Sequence, residues 1–142
     1  VRGELVRNYF AVGLGAIVGA SLRYVLSEWL NPTWGSTFPW PTLLINVSGS
    51  LALGCLLSLL TERLVENPLY RLLLGTGLLG GYTTFSTFSY EAVELLERGA
   101  YLAAVAYVTA SFGLSIAAAF VGIRLGVVHW RTAGADGSPA RG

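Results

Sequence analysis

Residues 41–61, 72–90 and 99–123 contain no Asp, Glu, Arg or His. A fourth apolar stretch, 8–22, passes Arg23 and continues to about Leu30. Crossing the hydrocarbon core of a bilayer takes about 20 helical residues. Four such stretches in 142 residues leave almost nothing outside the membrane. A soluble domain has roughly 25% charged residues, whereas this chain has 12% and a mean hydropathy of +0.61. The reading is therefore an all-α membrane protein with four transmembrane helices. It has no room for a soluble catalytic domain, and it is not read as an enzyme.

Punctuation residues divide the chain. Helices are expected at about 8–30, 41–61, 69–97 and 100–127. The first runs on through Tyr24, Val25, Leu26 and Trp29, so it reads as a permanent helix rather than a cleaved leader. The link 31–41 carries three prolines and is expected to end helix 1. Pro41 suits the first turn of helix 2, where its missing N–H is not needed. Arg98-Gly99 is the shortest link and makes helices 3 and 4 antiparallel neighbours. The tail 131–142 is small, polar and expected to be disordered. Cys55 is the only cysteine and reads as packing. A net charge of +1 argues against a nucleic-acid partner.

Glycines recur in every helix: Gly15 and Gly19, Gly49 and Gly54, Gly77 and Gly81, Gly122 and Gly126. Such spacing lets helix backbones approach closely in lipid, and packing within the chain explains most of them. Four short helices cannot enclose a wide pore, so a compact bundle or dimer with narrow passages is expected.

Polar groups inside these stretches carry the functional signal. Residues 80–90 read Gly-Gly-Tyr-Thr-Thr-Phe-Ser-Thr-Phe-Ser-Tyr. Lipid offers no water, so hydroxyls there need backbone acceptors, a neighbouring helix or a wet cavity. Gly80 and Gly81 are expected to divide helix 3. Phe85 and Phe88 share a helical face and alternate with Thr84, Ser86, Thr87 and Ser89. A ring edge is positive and can face an anion while hydroxyls donate to it. Asn46 reads either as interhelical glue or as a pore group, and Thr42 lies one turn before it. Tyr107, Ser111 and Ser115 stack on one face of helix 4. Arg23 is a cation well inside a helix, expensive unless functional or snorkelling. Glu28, Glu91, Glu94 and Glu97 read as interfacial, Glu91 least clearly because it abuts the polar run. No mid-helix carboxylate is expected, nor a Ser/His pair or a Cys/His cluster.

Gly80-Gly81-Tyr82-Thr83-Thr84-Phe85-Ser86-Thr87-Phe88 resembles the helix 3 signature of the CrcB (Fluc) fluoride channels. Arg23-Tyr24, Asn46 within Leu-Ile-Asn-Val-Ser-Gly-Ser, and the Tyr107/Ser111/Ser115 ladder agree with it. The similarity spans all four helices and omits the tail. It implies passive, selective fluoride export across the cell membrane by an antiparallel, dual-topology dimer with two pores. It implies a fluoride pathway along Asn46, Phe85, Phe88 and the ladder, with Thr84, Ser86, Thr87, Thr42 and Arg23 beside it. It also implies a structural Na+ at the dimer centre, held by backbone carbonyls of Gly80 and Thr83. Tyr82 stands where the family often has a bulky apolar residue, and no role is assigned to it.

Arg2, Arg7, Arg63, Arg71, Arg124, Arg131 and Arg141 fall on or near one membrane face, with Arg98 on the other and Arg23 ambiguous. This bias favours cytoplasmic termini. An antiparallel homodimer must tolerate it; the alternative is a heterodimer with an oppositely biased relative. The rival readings are a small four-helix drug exporter, which would need a membrane-depth carboxylate in helix 1, and a non-conducting partner subunit.

Overall fold

The computed structural model describes residues 2–34, 37–62 and 68–135. All the regular elements in it are helical: α1 (Arg2–Trp34), α2 (Trp40–Glu62), α3 (Pro68–Tyr70), a π-helical segment (Arg71–Leu79), α4 (Gly80–Tyr82), α5 (Phe85–Glu97) and α6 (Tyr101–Ala135). Three of them, α1, α2 and α6, are long and apolar enough to cross a membrane. The third expected span is divided among α3, the π segment, α4 and α5.

The helix ends follow from local chemistry. Pro41 sits in the first turn of α2, as its ring favours. Between α5 and α6, Gly99 adopts φ 74°, a left-handed conformation open to glycine. Gly99 N–H then donates to Leu96 O at 3.0 Å and Ala100 N–H to Leu95 O at 2.9 Å. These two bonds form a Schellman closure, which satisfies carbonyls that the helix end would otherwise leave open. The chain reverses there, and α6 returns alongside α5.

Two helix pairs dominate the packing. α2 lies along α6, and α1 lies against the π segment and α4. Glycine makes both approaches possible. A Cβ on Gly122 would sit 2.2 Å from Leu51 O, and one on Gly54 would sit 2.4 Å from Ala119 O. On the other seam, a Cβ on Gly19 would sit 2.0 Å from Leu78 O. The buried cluster joins α2, α5 and α6 at Leu43, Phe88, Leu95, Ala104 and Tyr107. Outward faces of α1 and α6 expose large apolar side chains such as Phe10, Ile17, Leu102 and Ile116, which suits a lipid or protein neighbour better than water.

Three expectations change. Helix 1 passes Pro32 and ends at Trp34, so it stops two residues beyond the proline rather than before it. Helix 4 continues to Ala135, so the first residues of the expected tail, 131–135, are helical; residues 136–142 lie outside the described residues. Gly80 and Gly81 stay in helical conformation, and the extended residues are Thr83 and Thr84. Gly81 is instead a contact residue, since a Cβ there would sit 2.8 Å from Ala16 O.

Gly19→Val is expected to lower the melting temperature of purified protein in detergent, at a cost of about 1–3 kcal/mol or more. Gly13→Ala, whose Cβ meets nothing within 4 Å, is expected to leave it unchanged.

Candidate functional site

The polar centre begins with the two-residue link between α4 and α5. Thr83 (φ −79°, ψ 157°) and Thr84 (φ −149°, ψ 120°) are extended. An extended link inside an apolar bundle leaves peptide groups without helical partners, and those groups must be satisfied internally. Asn46 of α2 does this for Thr84 in both directions. Its Nδ2 donates to Thr84 O at 2.9 Å, and Thr84 N–H donates to its Oδ1 at 2.8 Å. The side-chain amide thus acts as a surrogate peptide.

The Thr84 hydroxyl then caps α5. It accepts from Thr87 N–H at 3.2 Å and donates to Thr87 Oγ1 at 3.0 Å, with Ser86 Oγ 3.2 Å away. Around the link, Thr83 Oγ1 donates to Leu79 O at 3.0 Å and Arg23 Nε to Gly81 O at 3.3 Å. Arg23 therefore reaches the upstream side of the link from α1. Ser89 bonds back to Phe85 O at 2.9 Å.

Beside the link lies a cavity of about 260 Å³, bounded by Asn46, Thr84, Phe85, Phe88, Ser111 and Ser115. At roughly 30 Å³ per water, it holds several solvent molecules or a partly hydrated ion. Ser111 Oγ is buried there with no hydrogen-bond partner among the described residues. A buried hydroxyl without a partner is costly. The rings of Phe85 and Phe88 are 5.5 Å apart, centroid to centroid. Phe112 meets Phe88 edge-on at 5.6 Å. Phe88 is buried, whereas Phe85 is 69% exposed.

A second polar cluster lies further along α5. Glu91 accepts from Thr42 Oγ1 at 2.8 Å and from Tyr107 OH at 2.6 Å. Glu91 stands half-buried in the middle of α5 between α2 and α6, so the expectation of no mid-helix carboxylate is corrected. The reason is that two hydroxyls from neighbouring helices replace the water it would lose. Its hollow also borders Thr42 and Thr87. A third hollow, beside Arg23, borders Thr42, Thr84 and Thr87. Thr84 thus adjoins the Phe-lined cavity on one side and the Arg23 hollow on the other.

The structure gathers Asn46, Phe85, Phe88, Ser111 and Ser115 around one cavity, with Thr42, Thr87 and Arg23 in the adjoining hollows. Tyr107 is fully buried and directs its hydroxyl at Glu91 rather than toward Ser111. Ser86 stays beside the α5 cap. Sequence reasoning flagged Glu91 because it abuts the polar run but did not find its partners, and it missed Phe112, whose only cue was its adjacency to Ser111. No group of three or more His, Cys, Asp or Glu side chains is assembled among the described residues, so a cation would have to use other oxygens. The backbone supplies some. Thr84 N–H, which a continuous helix would send to Gly80 O, goes to Asn46. Thr87 N–H, which it would send to Thr83 O, goes to the Thr84 hydroxyl.

Long apolar helices enclosing hydroxyl-lined hollows define a multi-pass helical membrane protein. Residues 10–123 match the family model described as "CrcB-like protein, Camphor Resistance (CrcB)", and the chain belongs to that family. It is 50% identical over 115 residues to "Fluoride-specific ion channel FluC" of Roseiflexus sp. (strain RS-1), covering 81% of this chain and 93% of that one. It is 45% identical over 120 residues to the protein of the same name from Rhizobium meliloti (strain 1021), covering 84% and 96%. It is 42% identical over 120 residues to "Fluoride-specific ion channel FluC 1" of Listeria innocua serovar 6a, covering 84% and 98%.

Asn46→Leu keeps the approximate volume and removes both bonds to Thr84. It is expected to cost about 1–3 kcal/mol for the stranded peptide groups, read as a lower melting temperature. It should also speed amide exchange in the peptide spanning 80–88.

Proposed function

We propose that this chain is a fluoride-specific channel that lets fluoride leave the cytoplasm passively and so relieves its toxicity. The observation that carries the reading is Ser111: a buried hydroxyl with no protein partner, facing a cavity bordered by Phe85 and Phe88. The relatives' names supply the ion, and the site chemistry is compatible with it. Fluoride holds its water tightly, so a passage must replace that shell with donors while staying too narrow for larger halides. Ser111, with Ser115 one turn further on, supplies hydroxyl donors, and the Phe rings supply positive edges. Several weak sites in series allow both entry and release.

The other residues act around that passage. Asn46 and Thr84 hold the cavity wall in place through their bonds to the link, and the second N–H of the Asn46 amide is left for the passage. Arg23 keeps its adjoining hollow positive. Thr42 and Tyr107 occupy the Glu91 carboxylate with donors and so moderate its repulsion of an anion. Hydrogen fluoride crosses lipid uncharged and dissociates inside, and the negative interior potential then drives the anion outward. This needs neither ATP nor a coupled proton.

In this reading the divided third span, α3 through α5, completes a fourth crossing, and the protein lies in the cell membrane. The assembly is an antiparallel dimer with two pores, as a homodimer or with an oppositely biased relative. Its broad exposed apolar faces on α1 and α6 are compatible with such pairing. A structural Na+ fits the oxygens present, since Gly80 O and Thr83 O have lost their helical donors to the Asn46 and Thr84 side chains. Bound there, the ion would join two links through hard carbonyl ligands.

Reconstitution of the purified chain into liposomes tests the proposal, with fluoride release followed by a selective electrode. Rapid efflux with chloride retained is expected. Ser111→Ala is expected to slow the rate per active channel by about five- to a hundredfold, as for loss of a donor to a charged ligand. Phe85→Ile is also expected to slow it. Liposomes as tight to fluoride as protein-free ones would overturn the proposal, and proton-driven export of an organic cation would replace it.

A further inference from the structure

Tyr82 is the last residue of α4 and immediately precedes the extended link. It is buried to 8% exposure. A phenol enclosed at membrane depth needs a partner for its hydroxyl. That partner is Ser48 of α2, with the two oxygens 2.9 Å apart. Ser48 Oγ also lies 3.2 Å from Ile45 O, so the serine hydroxyl can bond the phenol and its own helix. The ring reaches Ser48 across Gly49. A Cβ on Gly49 would sit 3.1 Å from Tyr82 Cδ1 and 2.3 Å from Thr83 Cγ2. The missing side chain at Gly49 therefore seats both the ring and the start of the link.

We infer that Tyr82 is a positioning residue of the ion pathway: its hydroxyl, hydrogen-bonded to Ser48, ties the upstream side of the link to α2 while Asn46 ties the downstream side. The inference rests on the fluoride-channel reading above. Thr83 and Thr84 are extended; Thr83 N–H still donates to Leu79 O at 3.1 Å, whereas the Thr84 peptide bonds to α2 instead of to its own helix. α2 holds the link on both sides, Tyr82 through Ser48 and Thr84 through Asn46. Both anchors belong to α2, two residues apart, so one rigid helix sets the register of the whole link. Releasing the upstream anchor lets Thr83 and Thr84 move relative to Phe85 and Phe88 without unpacking the seams between helices.

The test separates placement from folding. Tyr82→Phe keeps the ring on Gly49 and removes only the hydroxyl; Ser48→Ala removes the same bond from the other side. In sparsely loaded liposomes, the fraction of vesicles that empty counts active channels, and the initial rate gives transport per channel. Each variant is expected to keep the active fraction and to lower the rate per channel by about three- to tenfold, the scale of one neutral hydrogen bond. The double variant should be no slower than either single one. Amide exchange in the peptide spanning 80–88 should speed up in each variant whether or not fluoride is carried. A fall in active fraction alone, additive effects in the double variant, or unchanged exchange would overturn the inference. A wild-type chain that carries no fluoride would overturn the channel reading instead, and the exchange result would still decide whether Tyr82 holds the link.

Discussion

The paired hydrogen bonds between the Asn46 side chain and the Thr84 peptide are the constraint on which the polar centre depends. In water, an interrupted helix can leave its peptide groups to solvent; in lipid it cannot. A carboxamide is the one uncharged side-chain group that offers a donor and an acceptor with peptide-like spacing. Because Asn46 satisfies both groups of Thr84, the Thr84 hydroxyl is released to cap α5. Because α5 restarts at Phe85, its two phenylalanines and Glu91 take the directions they have. The freed carbonyls of Gly80 and Thr83 are a consequence of the same two caps.

Around that centre the structure separates close packing from polar space. The glycine seams let α2 approach α6, and α1 approach the π segment and α4, at backbone distance. The polar groups lie where that contact opens: Ser111 and Ser115 on α6, Thr42 and Asn46 on α2, Thr87 and Glu91 on α5. Most of their hydrogen bonds are internal. Ser111 is the exception among the buried hydroxyls of the cavity.

Much of this was legible in the sequence, and the limits have physical causes. Charge-free runs located α1, α2 and α6, because the cost of burying charge in lipid is large and local. The short Arg98-Gly99 link predicted antiparallel neighbours, and the Gly99 turn supplies them. The nine-residue signature led to the family. The position of the link was read two or three residues early, at the glycines. Glycine permits a departure from helix, but here a side chain 38 residues away decides where it happens, and such a bond leaves no local trace. Glu91 was misread for the same reason, since its partners Thr42 and Tyr107 come from two other helices. The π-helical stretch Arg71–Leu79 carries Gly75 and Gly77, but no residue pattern in it distinguishes a π-helix from an α-helix. Helix lengths were underestimated at Trp34 and Ala135, where polar and proline residues signalled stops that the backbone does not make.

In the proposed channel, donors and ring edges beside the α4–α5 link admit one small halide and exclude larger ones. The most direct test is the reversal potential of single-channel currents in a planar bilayer with fluoride on one side and chloride on the other. The account predicts current carried by fluoride alone, with the reversal potential displaced far in fluoride's favour. Currents that reverse near zero, and so pass chloride comparably, would contradict it.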